Sequence, residues 1–553
     1  MIKEIFNLLG RSFLQKCISL GALSSIAATL EILSFMSLAN LLNQLIVNGR
    51  INAKVLIEVP FLPPLDLSKY ILLMLCLFTI SLLTNILINY IVINTAQNFR
   101  VIVSSKILKS FFEAKVYGLK KLDADDLTKE IVSETDTIVN YLVSPIINLV
   151  HSIILVFAFI SYVFFQHGSK ILLPILSIIF SYIVLFIITK SFVSKSAELR
   201  DLANTNRFKG VSESIRGYRD LITYNGKDRA VSIIKKSFQD FSHAISIHNI
   251  LAKIPRFYVE YLIVIISIYF VYQSMSNPAD YSELIIVQLV PSILAILKCI
   301  TPCQNIFNSV LSLRFAKSPL RRLSKLIDLE GKKTGLENLN SFVKIKLTDV
   351  CYEVDSITVL ESVNLEIKDG EKVLIVGPSG AGKSTLLDII SGFKNPSKGK
   401  VTLQFASNNN VSTHPSYFSY VQQTPFIFEG NFFQNISVDF NKVISDIDND
   451  QMLESLKFSD LSNKQVKREL YRKKIESYGI NLSGGQKQRI SIARAIYNSN
   501  AVLILDEFSS ALHGASRTLI YENIKNSDRT IIATSHDENA KKYFDRVICL
   551  PHQ

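Results

Sequence analysis

Long stretches without a charged residue dominate the part of this 553-residue chain that precedes Arg314. No charged residue stands between Lys69 and Arg100, or between Asp136 and Lys170. A bilayer core of ~30 Å is crossed by about 20 apolar residues in a helix. Six segments meet or approach that length, at 15–46, 70–98, 138–166, 171–192, 257–275 and 284–312. We therefore predict an α-helical transmembrane domain of six spans over residues 1–320, with several helices continuing into the cytoplasm.

The composition agrees with a membrane protein. Mean hydropathy is +0.27 and charged residues make up 19% of the chain, below the usual quarter. These values exclude a disordered chain, a coiled-coil rod and a collagen-like repeat, and they argue against a wholly soluble protein. The net charge of +13 could suit nucleic acid, but Lys and Arg collect in the cytoplasmic loops of membrane proteins. We therefore predict no nucleic-acid partner. The six cysteines show neither the spacing of zinc ligands nor that of a disulfide framework.

The loop charges predict the orientation of the spans. The long loops 99–137 and 193–256 are rich in Lys and Arg, whereas the short connections 166–170 and 276–283 hold a single basic residue between them, Lys170. Basic loops stay on the cytoplasmic side, so both chain termini are predicted to be cytoplasmic. No cleavable signal peptide is expected, because the first apolar run is long and lacks a clear cleavage site. The chain is thus predicted to be a multi-pass protein of the cytoplasmic membrane.

Two charged residues lie inside the predicted spans. Glu31 stands midway along the first, where an acid is a functional candidate; it could equally face a wet cavity or pair with a neighbouring helix. Lys298 lies some fifteen residues into the last span, and we expect its side chain to reach the membrane interface.

After about residue 340 the pattern changes to strands and a phosphate-binding loop. The apolar strand Lys372–Val376 is followed by a G-x-x-x-x-G-K-S sequence and then by a helix. In that context the loop is a P-loop, whose backbone N–H groups and helix N-terminus hold phosphate oxygens. Lys383 is predicted to reach the β- and γ-phosphates of ATP, and the Ser384 hydroxyl to bind Mg²⁺. The predicted ATP-binding residues of this loop are Gly377, Pro378, Ser379, Gly380, Ala381, Gly382, Lys383, Ser384 and Thr385.

A buried strand with two acids at its end supplies the second part of the site. The sequence Ala501-Val-Leu-Ile-Leu-Asp-Glu507 ends in Asp506 and Glu507. Asp506 is placed to hold the Mg²⁺ shell, as a Walker-B aspartate does. Glu507 is predicted to orient or deprotonate the water that attacks the γ-phosphate.

Between these motifs lies Leu482-Ser-Gly-Gly-Gln486. Together with the order of the other motifs, it resembles the signature of the ATP-binding cassette of ABC transporters, over about 341–553. The resemblance implies an α/β P-loop nucleotide-binding domain with a helical subdomain. It also implies that two cassettes sandwich two ATP molecules, each P-loop facing the signature of the other subunit. The signature residues expected to bind ATP are Ser483, Gly484, Gly485 and Gln486.

Further residues follow from the same resemblance. Gln423 is similar to the Q-loop glutamine, a catalytic residue that also senses Mg²⁺, and His536 to the switch histidine that contacts the γ-phosphate. Tyr352 is the candidate for adenine stacking, although Val354 occupies the place where the family usually has its aromatic. His513 stands where the family has Asp, which places the usual link between the two ATP sites in question, and Ser477 replaces a glutamate.

One membrane half followed by one cassette resembles exporter-type (type IV) half-transporters, which work as homodimers. The implied domains are 1–320, a linker at 321–340, and the cassette at 341–553. Coupling helices are expected at about 115–125 and 205–220. The implied partners are a second copy, the lipid bilayer and a transported substrate, in a bacterial inner membrane.

The cargo stays open at this stage. Leu30–Leu33 and 254–260 are weakly similar to lipid-linked oligosaccharide flippases, which favours such a saccharide or another amphiphile, with Arg256 as the cation nearest its headgroup. A peptide or drug exporter is the alternative, and an ATP-gated regulator without transport is a remote one.

Overall fold

The structure is a computed structural model of the chain. It describes residues 2–47, 57–59, 62–113, 124–167, 172–261, 264–265, 268, 298–328, 342–354, 357–406, 410–440, 449–463, 471, 473–498 and 500–551. These residues divide into two compact units, one ending at Asp328 and the other beginning at Phe342.

The first unit is helical apart from one short antiparallel pair, β1 (Ile57–Val59) and β2 (Leu62–Leu65). Residues 254–261 and 298–315 are also helical. Between α3 and α5 the helix is broken twice by π-helical turns, at Lys129–Glu134 and Val139–Val143. The labelled helices are α1 (Ile2–Val47), α2 (Leu67–Glu113), α3 (Ala124–Thr128), α4 (Thr135–Ile138), α5 (Ser144–His167), α6 (Leu172–Arg216), α7 (Tyr218–Thr223), α8 (Lys227–Leu251) and α9 (Lys317–Asp328).

Four helical segments within the described ranges are long and apolar enough to cross a membrane: Leu8–Leu38, Ser68–Phe112, Asp126–Phe165 and Ile179–Arg216. They contain the first four predicted spans or most of their length. The predicted spans 257–275 and 284–312 lie partly outside the described residues. The helices are longer than a bilayer requires, because polar sequence continues the same helix beyond the apolar stretch, as in α6 from Lys195 to Arg216.

The predicted linker at 321–340 overlaps a packed helix. In α9, Leu320, Leu323 and Ile327 are buried in one core with residues of α1 and α2. The reason is the helical spacing of these apolar residues, which gives α9 one apolar side. Residues 321–328 therefore belong to the helical unit, and the rest of the predicted linker lies outside the described residues.

Buried ion pairs attach α9 to the rest of the helical unit. Arg322 of α9 donates from Nε to Glu130 Oε1 at 2.7 Å and from Nη2 to Asp201 Oδ1 at 2.7 Å. Arg200 Nη1 donates to Glu134 Oε2 at 3.1 Å, and neither side chain is more than 4% exposed. Buried charges are tolerated only when they are paired and hydrogen-bonded. The network thus joins α9, α6 and the first π-helical turn.

The two predicted coupling segments have different outcomes. Residues 114–123, which hold most of the segment 115–125, are outside the described part of the chain. The segment 205–220 covers the end of α6 and the start of α7, with Gly217 between the two helices.

The second unit combines a parallel sheet, an antiparallel sheet and a helical subdomain. The parallel sheet has the order β11-β5-β10-β9-β8, and the antiparallel sheet has the order β4-β3-β6-β7. Strands β9 and β10 are buried along their whole length, as expected for central parallel strands. The strands are β3 (Phe342–Val354), β4 (Ile357–Lys368), β5 (Lys372–Val376), β6 (Lys398–Phe405), β7 (Asn410–Ser412), β8 (Phe418–Val421), β9 (Val502–Leu505), β10 (Thr530–Thr534) and β11 (Arg546–Cys549).

Helices pack against these sheets and form a separate core of their own. Helices α11, α12 and α13 bury Phe432, Met452 and Ile490 in one cluster, which is the helical subdomain. The predicted fold class, six-span helical domain plus P-loop domain with a helical subdomain, agrees with this architecture. The helices are α10 (Lys383–Ile390), α11 (Phe432–Ser437), α12 (Asn449–Phe458), α13 (Gly484–Tyr497) and α14 (Gly514–Lys525).

Candidate functional site

The P-loop connects β5 to α10 at the carboxyl edge of the parallel sheet. Gly380 and Gly382 have φ angles of 86° and 80°, which favour glycine. A Cβ on Gly382 would lie 2.8 Å from the Val359 carbonyl oxygen, so a side chain there would displace β4. Because α10 begins at Lys383, its N-terminus closes the loop and adds backbone N–H donors and a positive dipole end.

The remaining loop residues line this turn. Ser379, Gly380 and Ser384 are exposed, Gly377, Pro378 and Thr385 are half-buried, and Ala381 is buried. An exposed arc of backbone and hydroxyl groups in front of a helix N-terminus is the shape that phosphate groups occupy. The loop therefore fits the phosphates of ATP.

Lys383 is buried at the centre of the loop. Its Nζ donates to the carbonyl oxygens of Gly377 and Pro378 at 2.9 and 3.0 Å. These neutral carbonyl oxygens hold the ammonium inside the loop. The charged oxygens of a phosphate in the loop would bind the ammonium more strongly than the carbonyl oxygens do.

Ser384 and Asp506 form the candidate Mg²⁺ position. The Ser384 Oγ donates to Asp506 Oδ1 at 3.2 Å, and Thr534 Oγ1 donates to the same oxygen at 2.7 Å. Hydroxyl and carboxylate oxygens are the ligands that Mg²⁺ prefers, so the donor set fits the ion. Burial and the charges of Asp506 and Asp388 raise the pKa of Tyr420 above its ordinary value, which keeps this neighbouring phenol neutral.

The three predicted catalytic residues meet at one carboxylate. Gln423 Nε2 donates to Glu507 Oε2, and His536 Nε2 lies 2.9 Å from Glu507 Oε1. Glu507 itself has a φ of 45°, a strained value for a residue with a side chain. Its backbone N–H donates to Thr534 Oγ1 at 2.9 Å, which ties the strained turn to β10. The loop after β8, the end of β9 and the segment after β10 thus converge on Glu507.

Thr534 is the residue of this site that sequence reasoning missed. It accepts from the Glu507 N–H and donates to Asp506, so one hydroxyl orients both acids. A polar residue that ends β10 directly after the apolar residues 531–533 was the available signal.

The signature residues open α13. Ser483 is its N-cap: Ser483 Oγ accepts from the Gln486 N–H at 3.2 Å, and Gln486 Oε1 accepts from the Ser483 N–H at 2.9 Å. This capping box leaves the N–H groups of Gly484 and Gly485 at the helix end. A Cβ on Gly485 would lie 2.9 Å from the Ala511 carbonyl oxygen, so glycine permits close contact with the segment after Glu507.

The prediction that Tyr352 stacks on adenine does not fit the structure. Tyr352 is 3% exposed, because it pairs with Leu360 across β3 and β4 and points into the core of the unit. A ring packed in the core offers no face to a base. Val354, two residues on and the last residue of β3, is 42% exposed, so the accessible side chain at this strand end is aliphatic.

His513 occupies the N-cap position of α14 but makes no side-chain cap. Its φ and ψ of −118° and 144° suit an N-cap. We expect His513→Asp to raise the free energy of unfolding by about 1 kcal/mol, because the carboxylate would accept from free N–H groups of the first turn. Calorimetry of the purified chain, with His513→Ala as control, measures this. Equal midpoints for the Asp and Ala variants would show that capping has no role here.

An acidic side chain lies beside Ser477, which stands where a glutamate was expected. Ser477 Oγ donates to Glu429 Oε2 at 2.8 Å, so the acid comes from another segment of the chain.

Two cations of the membrane half pair with acids. Lys298 was expected to extend to the membrane interface, but its Nζ lies 3.6 Å from Glu31 Oε1. Arg256 Nε donates to Glu260 Oε1 at 2.7 Å, one turn away on the same helix.

Comparisons with known proteins agree with this architecture. The ABC transporter transmembrane region matches residues 17–297, about half of the chain, and the ABC transporter family matches residues 360–510. A bacterial Atm1-family ABC exporter with ATP bound has the same fold, with a TM-score of 0.78 at 17% identity, covering 98% of this chain and 93% of that chain.

Curated relatives include proteins with different cargoes. The lactococcin-G-processing and transport ATP-binding protein LagD of Lactococcus lactis is 28% identical over 76% of this chain and 61% of its own length. The ATP-dependent lipid A-core flippase of Neisseria gonorrhoeae is 32% identical over 38% of this chain and 34% of its own. The chain thus spans less than two thirds of these relatives. With a membrane-region match over half of its length, the chain belongs to the ABC transporter family.

Proposed function

We propose that this chain is one half of an ATP-driven exporter that moves a lipid-linked saccharide or another amphiphile across the cytoplasmic membrane. The observation that carries the ATPase part is the convergence of Gln423 and His536 on Glu507, beside the Ser384–Asp506 pair. These groups are the parts that phosphoryl transfer to water requires, namely an acceptor for the water proton and neutralising groups for the phosphates.

In the proposed reaction, Lys383 and the N–H groups of the P-loop hold the phosphates of ATP. Glu507 accepts the proton of the attacking water, and His536 contacts the γ-phosphate. Ser384, Asp506 and Gln423 would hold Mg²⁺, which supplies positive charge to the phosphate oxygens when bound.

The active form is proposed to be a homodimer with two identical composite sites. One chain supplies one P-loop and one signature, and the exposed start of α13 offers N–H donors that are suited to a phosphate held by a second copy. Both termini are proposed to be cytoplasmic, in the inner membrane of a bacterium, because the long basic loops favour that side.

Peptide export is the second candidate for the cargo. It is supported by LagD, whose name includes lactococcin-G processing and transport, whereas the lipid A-core flippase supports an amphiphile. A regulator that binds ATP without transport is the remote alternative, and its one support is His513 in place of the usual Asp.

The test uses the purified chain in proteoliposomes. We expect phosphate release from ATP that stops when Mg²⁺ is chelated, and ATP-dependent movement of a fluorescent lipid between leaflets. Phosphate release with uptake of a peptide and no lipid movement would favour peptide export. Absence of Mg²⁺-dependent phosphate release would contradict the ATPase assignment itself.

A further inference from the structure

The described end of the last predicted span has one polar side. Within 298–315 the exposed residues are all polar, and they follow one another by three or four positions, which places them along one side of the helix: Lys298, Thr301, Asn305 and Asn308. The opposite side is buried through Phe307 and Leu311. This helix therefore turns its polar side outward and its apolar side into the protein.

Many exposed residues elsewhere in the helical unit are large and apolar, as a lipid-facing surface requires. On α2, for example, Leu72, Leu75 and Leu83 are between 54% and 64% exposed. Polar and charged groups are costly in lipid and lie where water or protein surrounds them. The polar side of 298–315 is thus suited to a water-filled path rather than to acyl chains.

Lys298 heads this polar side and is held in place from α1. Its Nζ lies 3.6 Å from Glu31 Oε1 and 5.5 Å from the centre of the Phe35 ring. The Lys298 side chain is 50% exposed, whereas Glu31 is only 14% exposed. The 3.6 Å separation is too long for a good hydrogen bond, so with respect to Glu31 the ammonium keeps its donors for another acceptor. The accessible partner of this pair is the cation.

An apolar groove adjoins the same pair. It lies between α1 and α5, has a volume of about 530 Å³, and is lined by Ala28, Ile32, Met36, Ile154, Phe157 and Tyr162 among others. Ile32, Met36 and Tyr162 also pack in one cluster with Phe35 and Cys299. The wall of the groove therefore packs against Phe35, whose ring Lys298 contacts, and against Cys299, which follows Lys298 in the sequence.

We propose that Lys298 binds the anionic headgroup of the transported amphiphile, while its acyl chain lies in the groove between α1 and α5. Glu31 acts as a positioning residue that holds the ammonium between the groove and the polar side of the last helix. An apolar slot next to an accessible cation matches a molecule with one tail and one negative head. That the bound amphiphile is the transported cargo rests on the proposed function. Binding of the amphiphile to this site requires no hydrolysis of ATP.

The experiment uses the absence of tryptophan from the chain. Phe157 lines the groove and is 72% exposed, so Phe157→Trp introduces a single fluorescent reporter. The full-length protein in phosphatidylcholine nanodiscs is titrated with lysophosphatidic acid or lysophosphatidylcholine, both carrying the same brominated acyl chain, which quenches tryptophan. We expect half-maximal quenching by lysophosphatidic acid at a concentration about tenfold lower, since one charge-assisted hydrogen bond has roughly that effect on affinity.

Variants in the Phe157→Trp background identify the cation. Lys298→Gln should remove the preference for the anionic lipid, and Lys298→Arg should keep it. Glu31→Gln should weaken the preference by a smaller factor, because the ammonium loses its fixed position but not its charge. Lys190→Gln, a second exposed lysine of the membrane half, is the matched control and should behave like the reporter protein.

Several results would overturn the inference. Equal quenching by the two lipids in the reporter protein would do so, as would an unchanged preference in Lys298→Gln. An equal loss in Lys190→Gln would assign the effect to general membrane charge. Displacement of the lipid by an acidic peptide at lower concentration would assign the site to a peptide. None of these results bears on phosphate release, so the proposed ATPase activity would stand or fall separately.

Discussion

Glu507→Gln is expected to bind ATP normally and to lose hydrolysis by a factor of about 10²–10⁴, the usual contribution of a general base. The amide has the shape of the carboxylate but cannot accept the water proton. The P-loop, the Ser384–Asp506 pair and the Lys383 ammonium are unchanged by this substitution. ATP should therefore remain bound and hold two chains together in a closed dimer.

Steady-state phosphate release and size-exclusion chromatography with and without ATP measure these two effects. Glu538→Gln is the matched control, because the Glu538 side chain is 89% exposed and pairs with Lys541 one turn away. The control should retain full turnover. Near-normal turnover in Glu507→Gln would remove the residue from the proposed catalytic role, whatever the state of the dimer.

Lys383→Ala is expected to abolish ATPase activity and to weaken ATP binding about tenfold or more, since the ammonium supplies charge-assisted hydrogen bonds to the phosphates both before and during hydrolysis. The loop itself should persist, because its turn depends on Gly380 and Gly382 rather than on the lysine. Lys541→Ala, at a side chain 46% exposed, is the control for a lost positive charge.

Mixing this variant with wild type tests the composite sites. If each P-loop uses the signature of the other chain and both sites are needed, an equal mixture of random dimers should show about a quarter of wild-type activity. Activity that falls in strict proportion to the fraction of wild type would show that the two sites do not depend on each other. A monomer in detergent sedimentation would contradict the homodimer directly.

Much of this protein was predictable because the relevant signals are local. The prediction that residues 377–385 bind phosphate depends on contiguous residues, which fold the same way wherever a strand leads through glycines into a helix. The same holds for the capping box that Ser483 and Gln486 form at the start of α13. The first four spans follow from segment length and composition, since a helix in lipid satisfies its backbone internally.

Other properties were decided by contacts between residues far apart in the sequence. Packing against the core of the unit buries Tyr352, whereas Val354 at the end of β3 is exposed, and this removed the predicted adenine contact. Residues 321–328 were predicted as part of a linker, but pairing of Arg322 with Glu130 and Asp201 fixes them against the helical unit. The sequence likewise left the partner of Glu31 open.

The candidate catalytic cluster of Gln423, Glu507 and His536 combines local signals and long-range contacts in one site. Gln423, Glu507 and His536 were each identifiable from the motif around them, but only the parallel sheet brings the ends of β8, β9 and β10 side by side. Thr534, which bonds to both acids, had no motif of its own. The sequence by itself therefore determined which chemical groups are present and which local turns hold them. Tertiary packing decided which of these groups meet, because burial and pairing depend on residues that lie far apart along the chain.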